Sequence, residues 1–298
     1  MIRGPRGMAI AVRAPDGRIV TNTEVTESAY TSSLRKIPLV RGIVTLYETF
    51  SLGIRSLHWS SQVASGRGDG SGKASAGDIA ISVGALTIAA ATFFVGPVLL
   101  TGWVSRVTGS GEAEVLSEGA LRIGMLLGYI WFIGRLPEVQ RVFAYHGAEH
   151  RTIHAHEHGL PLTIENVRTF PNAHPRCGTA FLLTVGVLSF VAFSALGTPP
   201  VLIRILERII LTPVIAGVAY EFLRASQSLE NHPIFRFAQY PNLWLQKMTT
   251  RDPDDAQIEV AIASLNAVLA LEAALPEVGA VSALVPVPIE IDADDRSV

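Results

Sequence analysis

Residues 79–105 run for 27 positions without a charged side chain and include ISVGALTIAAATFFVGPVLLTGWV. A helix needs about 20 apolar residues to cross the hydrocarbon core of a bilayer, so this stretch is long enough to span one. Pro97 is expected to kink it. A second clean run, 178–203, has FLLTVGVLSFVAFSALG at its heart and closes on Pro199-Pro200. Two further windows are poorer. Residues 116–136 carry Glu118, Arg122 and Arg135, and residues 201–220 carry Arg204, Glu207 and Arg208, with Pro213 interrupting the second. Glu118 and Arg122 stand four apart, and Arg204 and Arg208 share a helix face. Charge facing lipid is expensive, so these residues either snorkel from helix ends to the headgroups or line a buried polar cavity.

Composition supports the membrane reading. Hydrophobic residues make up 49% of the 298, and charged residues 17% against roughly 25% in an average soluble domain. Mean hydropathy is +0.36. An ordinary soluble enzyme is disfavoured. The formal net charge of −2 leaves no polyanion-binding excess, so nucleic acid is not an expected partner, whereas the lipid bilayer is. The single cysteine, Cys177, excludes a disulfide framework and any CxxC motif. No apolar run of signal-peptide length lies in the first 30 residues. Basic residues cluster before the first window, between the second and third, and after the fourth. The positive-inside rule then places both termini and the middle loop in the cytoplasm, with the chain in a cytoplasmic membrane.

The flanks read as soluble parts. GMAIAVRAPDGRIVTNTEV holds two β-prone runs about Pro15-Asp16-Gly17, a hairpin signal. Residues 38–59 then carry Leu39, Ile43, Leu46, Tyr47, Phe50, Ile54 and Leu57 at helical spacing; this helix packs on the hairpin or lies on the membrane surface. The expected organisation is a cytoplasmic hairpin plus amphipathic helix (1–59), a flexible Gly/Ser linker (60–77) and a four-span domain (78–222) containing a His-rich cytoplasmic loop (137–177). A C-terminal cytoplasmic helical segment (223–275) and a disordered acidic tail (276–298) follow. The expected fold class is therefore mainly α: a polytopic helical membrane protein of about four transmembrane helices with a small cytoplasmic α+β portion.

Chemistry concentrates in the middle loop, where five histidines fall inside HGAEHRTIHAHEH. His146, His150 and His154 are spaced i, i+4, i+8 and fan across about 80° of one helical face. Glu149 flanks that face. Imidazoles one turn apart can share a divalent metal ion, and a neighbouring carboxylate can act as general acid/base; neutral imidazole suits zinc, iron, copper or nickel, with zinc the expected ion. His146-Gly-Ala-Glu149-His150 is also H-x-x-E-H, the inverzincin pattern, in which a downstream carboxylate such as Glu221, or else Glu165, supplies a third ligand. His174-Pro-Arg-Cys177 adds a compact second constellation. With two upstream histidines it makes a closed tetrahedral site of structural type, and Cys177 activated by His174 is a nucleophile candidate. A plain polar loop at the headgroups is the remaining reading. The enzyme reading gives hydrolase-type chemistry at the cytoplasmic membrane face. The rival is a non-catalytic scaffold whose structural metal holds a platform that recruits a membrane protein partner or a second copy of the chain.

The chain resembles the bacterial YqhQ-like family, membrane proteins of unknown function described as predicted metal-dependent enzymes. The resemblance is carried by IRGP (2–5), MAIAVR (8–13), VRGIVTLYE (40–48), YHGAEHRTIHA (145–155), LTIENVR (162–168) and HPRCGTAFLL (174–183). LTPVIAGVAYE (211–221) and PNLWLQKMTTRDPDDAQIEVAIAS (241–264) extend it. It implies a multi-span membrane protein and a metal-dependent activity. Family members carry a Gly/Gln-rich segment resembling GGQAVIEGVM ahead of the Arg-Gly-Pro, and its absence here raises the expectation of a start further upstream.

Overall fold

The computed structural model describes residues 1–25, 37–66, 76–228 and 232–275. Positions 67–75 of the expected linker and the whole expected acidic tail lie outside the described residues.

The hairpin forms where its turn chemistry places it. β2 (Gly7–Arg13) pairs antiparallel with β3 (Ile19–Val25), from Arg13 opposite Ile19 to Gly7 opposite Val25. Gly17 closes the turn at φ 89°, a left-handed conformation that glycine adopts without strain, and Asp16 Oδ1 accepts from the Arg18 amide at 3.0 Å. A two-residue strand absent from the expectation, β1 (Ile2–Arg3), pairs with β2 on its other edge.

Both faces of β2 are covered, following its period of two. Met8 and Ile10 pack on Leu52, Trp59 and Val63 of α1 (Val40–Ala64). Ala9 and Ala11 face a helix at the far end of the chain, where they meet Leu265, Val268, Val260 and Ala263. Helix α1 thus packs on the hairpin with one face and leaves the opposite stripe of Ile43, Tyr47, Phe50, Ile54 and Leu57 exposed. It also runs to Ala64, into what the sequence reading treats as linker.

The first apolar window becomes α2 (Ala76–Ala90), a π-helical turn (Ala91–Val95), α3 (Gly96–Thr101) and α4 (Val104–Thr108). Pro97 accounts for the π turn. It has no N–H for the carbonyl four residues back, and its ring crowds that position. The freed oxygen, on Phe93, accepts instead from Arg122 Nε at 3.1 Å. Helix α5 (Gly111–Ile133) begins on Ser110, whose hydroxyl caps the Ala113 amide. After it come α6 (Pro137–Glu157), α7 (Ile164–Arg168), α8 (Ala180–Leu196), α9 (Val201–Ser228), α10 (Pro233–Thr249) and α11 (Asp255–Ala274). Helix α8 packs between α5 and α9.

Among the described residues, three helices are long and apolar enough to cross a membrane by length and composition: Ala80–Thr108, Gly111–Ile133 and Asp255–Ala274. This differs from the four expected windows in three ways. Gly197, at φ 72°, and the two prolines after it end α8 at 17 residues, so the third window is a shorter apolar helix. Helix α9, the fourth window, carries buried Arg204 and Arg208. Helix α11, expected as a cytoplasmic element, owes its apolar composition to packing. It covers the sheet on one side and, through Ile258 and Ala261, meets Ala148, Ala155 and Val167 of the α6–α7 region. Asp254 and Gln257 form a capping box at its start. At its other end the Glu272 carboxylate accepts from the Arg6 and Gly7 amides at 2.6 and 2.9 Å. Sheet, α11 and α6 are thereby one packed unit, with α6 directly following α5.

Candidate metal centre

Helix α6 opens with Pro137 in its first turn and ends on His158. Its histidine face is overlaid by the loop that leads from α7 to α8, and two clamps hold that loop. Arg151 donates from Nε to Asn172 Oδ1 at 2.7 Å and from Nη2 to Asp252 Oδ1 at 2.5 Å, while Asn172 Nδ2 donates to the same Asp252 oxygen at 2.9 Å. Gln246, fully buried, brackets His174: its Oε1 accepts from the His174 amide at 2.8 Å and its Nε2 donates to the His174 carbonyl at 3.0 Å.

The loop delivers Cys177 to the first two histidines. One ligand atom from each of His146, His150 and Cys177 lies within 4.8 Å of the others, a spacing that fits a single metal ion. Cys177 Sγ is 3.2 Å from His146 Nε2. Contacts with two backbone carbonyls set the tautomers. His146 Nδ1 lies 2.9 Å from the Thr249 carbonyl oxygen, and His150 Nδ1 lies 2.5 Å from that of Asn172. A carbonyl can only accept, so each Nδ1 carries a proton and each Nε2 keeps its lone pair for a ligand when the ring is neutral. The Thr179 hydroxyl, at 3.1 Å, and the Thr179 amide, at 3.5 Å, face the sulfur.

The electrostatics agree with a thiolate. Burial pushes the Cys177 thiol up, but hydrogen bonds and charge from His146 and His150 reverse the direction and leave it at about 5. Burial pulls the His146 imidazole down, and its contacts with Cys177 and Thr249 raise it above its ordinary value. Thiolate and imidazolium form a buried pair whose extra proton a metal would displace.

A second group comprises His154, Glu157 and His174. The ligand atoms of His174 and Glu157 are already spoken for. His174 Nδ1 accepts from the Arg176 amide at 3.2 Å, so its Nε2 carries the proton and donates to Glu157 Oε2 at 3.2 Å. Glu157 Oε1 also pairs with Arg176 Nη1 at 3.0 Å, and His154 Nε2 donates to the Ala173 carbonyl at 2.9 Å. Burial holds His174 below the usual histidine range, which keeps it neutral. The group is a closed hydrogen-bond cluster beside the first.

The sequence candidates therefore separate. His146, His150 and Cys177 come together; His154 and His174 join Glu157, which the sequence reading missed although it stands i+3 from His154 on the same face. Glu149 flanks the helix with a side chain one-third exposed, 4.0 Å from the Met1 amine. Glu221 stands apart. Its carboxylate takes the Arg41 guanidinium through both oxygens and accepts from the Leu39 amide at 3.2 Å, and it is in neither of the two groups. Glu165 is exposed on α7.

Gly147 belongs to the site as much as the ligands do. A Cβ there would run into the Arg251 carbonyl oxygen and lie 3.1 Å from Asn172 Oδ1. Gly147→Ala is expected to cost about 1–3 kcal/mol in stability by overpacking. It should also push the Thr249–Asp252 segment, with the carbonyl that orients His146, off α6. Thermal unfolding together with zinc titration of the variant checks both effects, and a wild-type profile in both would contradict the close approach.

Residues 37–271 match a family model described as "Protein of unknown function (DUF1385)". Over 287 residues the chain is 32% identical to "Uncharacterized protein YqhQ" of Bacillus subtilis (strain 168), covering 92% of this chain and 90% of that protein. No solved structure matches the chain. Two independent matches over most of the length place the chain in the YqhQ-like (DUF1385) family, whose function is unknown.

Proposed function

We propose that the protein is a membrane-bound, metal-dependent enzyme of hydrolase type, with His146, His150 and Cys177 as the ligands of one zinc-class ion at the cytoplasmic membrane face. The observation that carries this reading is the donor set. Backbone carbonyls hold Nδ1 of both imidazoles, which leaves Nε2 of each as the ligand atom once any proton on it is displaced, and the Cys177 sulfur stands within reach of them. Three protein ligands leave the fourth tetrahedral position open, which is the catalytic rather than the structural pattern. Histidine with thiolate suits zinc among the common divalent ions.

The fold supports the location. Only residues 134–136 separate α5 from α6, and His146, nine residues into α6, lies about 14 Å from the start of that helix at 1.5 Å per residue. Arg135 caps the end of α5 by donating to the Trp131 carbonyl at 2.7 Å, with its guanidinium over the Trp131 ring, an arrangement suited to a headgroup boundary. In this reading four windows span the bilayer. Glu114–Arg204 and Glu118–Arg208 pair in the same order along α5 and α9, so those two helices run parallel, as second and fourth spans must.

A bound zinc-class ion would supply Lewis-acid polarisation of a carbonyl or phosphoryl oxygen. Glu149, on the same helix and reachable by water, is the residue assigned to take and return a proton. Thr179 and the two backbone carbonyls hold the ligand atoms in place.

The test uses the full chain in detergent or nanodiscs. Elemental analysis should find about one equivalent of metal, and Glu149→Gln should retain it while turnover on a panel of ester, phosphodiester and peptide substrates drops by roughly 10²–10⁴. A folded, metal-free wild type would overturn the reading. A silent Glu149→Gln, with metal removal lowering the melting temperature alone, would replace it with the scaffold.

A further inference from the structure

Away from the histidines, five ionisable side chains are packed between α5, α8 and α9, none more than 5% exposed: Glu114, Glu118, Arg122, Arg204 and Arg208. Glu118 accepts from Arg208 Nε at 3.0 Å and Nη2 at 3.2 Å, and the oxygen that takes Nε also takes Arg122 Nη2 at 2.8 Å. One turn away, Glu114 pairs with Arg204 Nη1 at 2.5 Å. The Phe193 ring lies beneath both Arg122 and Arg208, at 5.2 and 4.3 Å from centroid to guanidinium carbon.

The buried charges do not balance among themselves. Two buried carboxylates face three guanidiniums, and the third carboxylate, Glu207 on Arg208, has a side chain 28% exposed. Arg122 is left with one oxygen of a carboxylate that already serves Arg208, plus the Phe93 carbonyl. Its Nη1, the Nε of Arg204 and the hydroxyl of Ser189 on α8 are buried with no hydrogen-bond partner among the described residues. A buried cation with an unmet donor is costly, and a low-dielectric surround strengthens its pull on any anion that reaches it.

We propose that this cluster is a binding site for one negatively charged group, a halide, carboxylate or phosphate, received by Arg122 Nη1. The proposal is independent of the metal centre. An apolar groove of about 620 Å³ is lined by Ile88, Phe93, Met125 and Tyr129 among others, and the Phe93 carbonyl is the one that accepts from Arg122 Nε. Met125 and Tyr129 lie one and two turns beyond Arg122 on α5, so a hydrocarbon tail in the groove would bring an attached anionic head toward the same guanidinium. The shared chemistry therefore has two sources, a free inorganic anion or a single-chain anionic amphiphile.

The experiment is thermal unfolding of the full chain in an uncharged detergent. Sodium bromide is titrated against sodium isethionate, a larger and weakly coordinating salt, at constant ionic strength, and sodium oleate is titrated in a parallel arm. A saturable rise in Tm with bromide identifies the free-ion source, and a rise with oleate alone identifies the amphiphile. Arg122→Gln leaves Arg204 and Arg208 matched by Glu114 and Glu118, so it should fold and lose the ligand-dependent rise, whereas the same change at Arg106, an exposed residue of α4, should keep it. If Arg122→Gln does not fold, Arg122→Lys, which keeps the charge without the planar fork, should fold and bind more weakly. Equal Tm in all three salts, or an undiminished rise in the Arg122 variant, would overturn the proposal.

Discussion

Cys177→Ala is expected to weaken zinc binding roughly a hundredfold, and His150→Ala by as much. The magnitude follows from ligand count: apparent affinities of about 10–16 kcal/mol spread over four positions give roughly 3 kcal/mol for each protein ligand, or about two decades in Kd. Neither loss is easily repaired from the neighbouring cluster. His174 has both ring nitrogens engaged, and Glu157 is shared between His174 and Arg176. His154→Ala should therefore cost much less than His150→Ala, although the two sit one turn apart on the same face. Glu221→Gln serves as the negative control because its partners are Arg41 and the Leu39 amide. Competition with a chromophoric chelator, run beside elemental analysis, reads all four variants. Wild-type affinity in Cys177→Ala combined with loss in His154→Ala would move the site to the second cluster.

The three histidines at i, i+4 and i+8 were legible because helical geometry alone puts them on one face, and α6 does form there. The partition of ligands was not. Sequence proximity joins His174 to Cys177, yet the tight turn between them, with the Cys177 amide donating to the His174 carbonyl at 3.2 Å, sends one to Glu157 and the other to His146. Nor could spacing reveal that the carbonyls of Thr249 and Asn172 select the free nitrogens, since those contacts span 103 and 22 residues. Glu221 misled for the same reason: its partner Arg41 lies 180 residues away. In the fold, the hairpin was readable from its turn chemistry. Coverage of both its faces was not, because a helix as apolar as α11 looks the same on paper whether it faces lipid or a sheet. The π turn before Pro97 was foreshadowed only as a kink, and spacing could not show that its freed carbonyl takes a guanidinium from another helix.

That guanidinium belongs to the network where the largest loss of stability is expected. Glu118→Ala removes the one carboxylate shared by Arg122 and Arg208, leaving two buried cations side by side over Phe193, with the partly exposed Glu207 still on Arg208. Breaking a buried pair from one side costs about 3–5 kcal/mol, chiefly because the abandoned charge stays buried. For a chain of this size that corresponds to a fall in Tm on the order of 10 °C. The sign of the effect should depend on what else is removed. Replacing Glu118 and Arg208 together with leucine takes out one charge of each kind and lets apolar volume fill the space, so the double variant should recover much of the loss in Glu118→Ala. A network held together by mutual attraction would instead make the double variant at least as unstable as the single one. Comparing Tm across Glu118→Ala, Arg208→Leu and the Glu118→Leu/Arg208→Leu pair separates the two. A full recovery would mean that the fold does not need these charges, and that their retention has to be explained by what Arg122 and its neighbours bind.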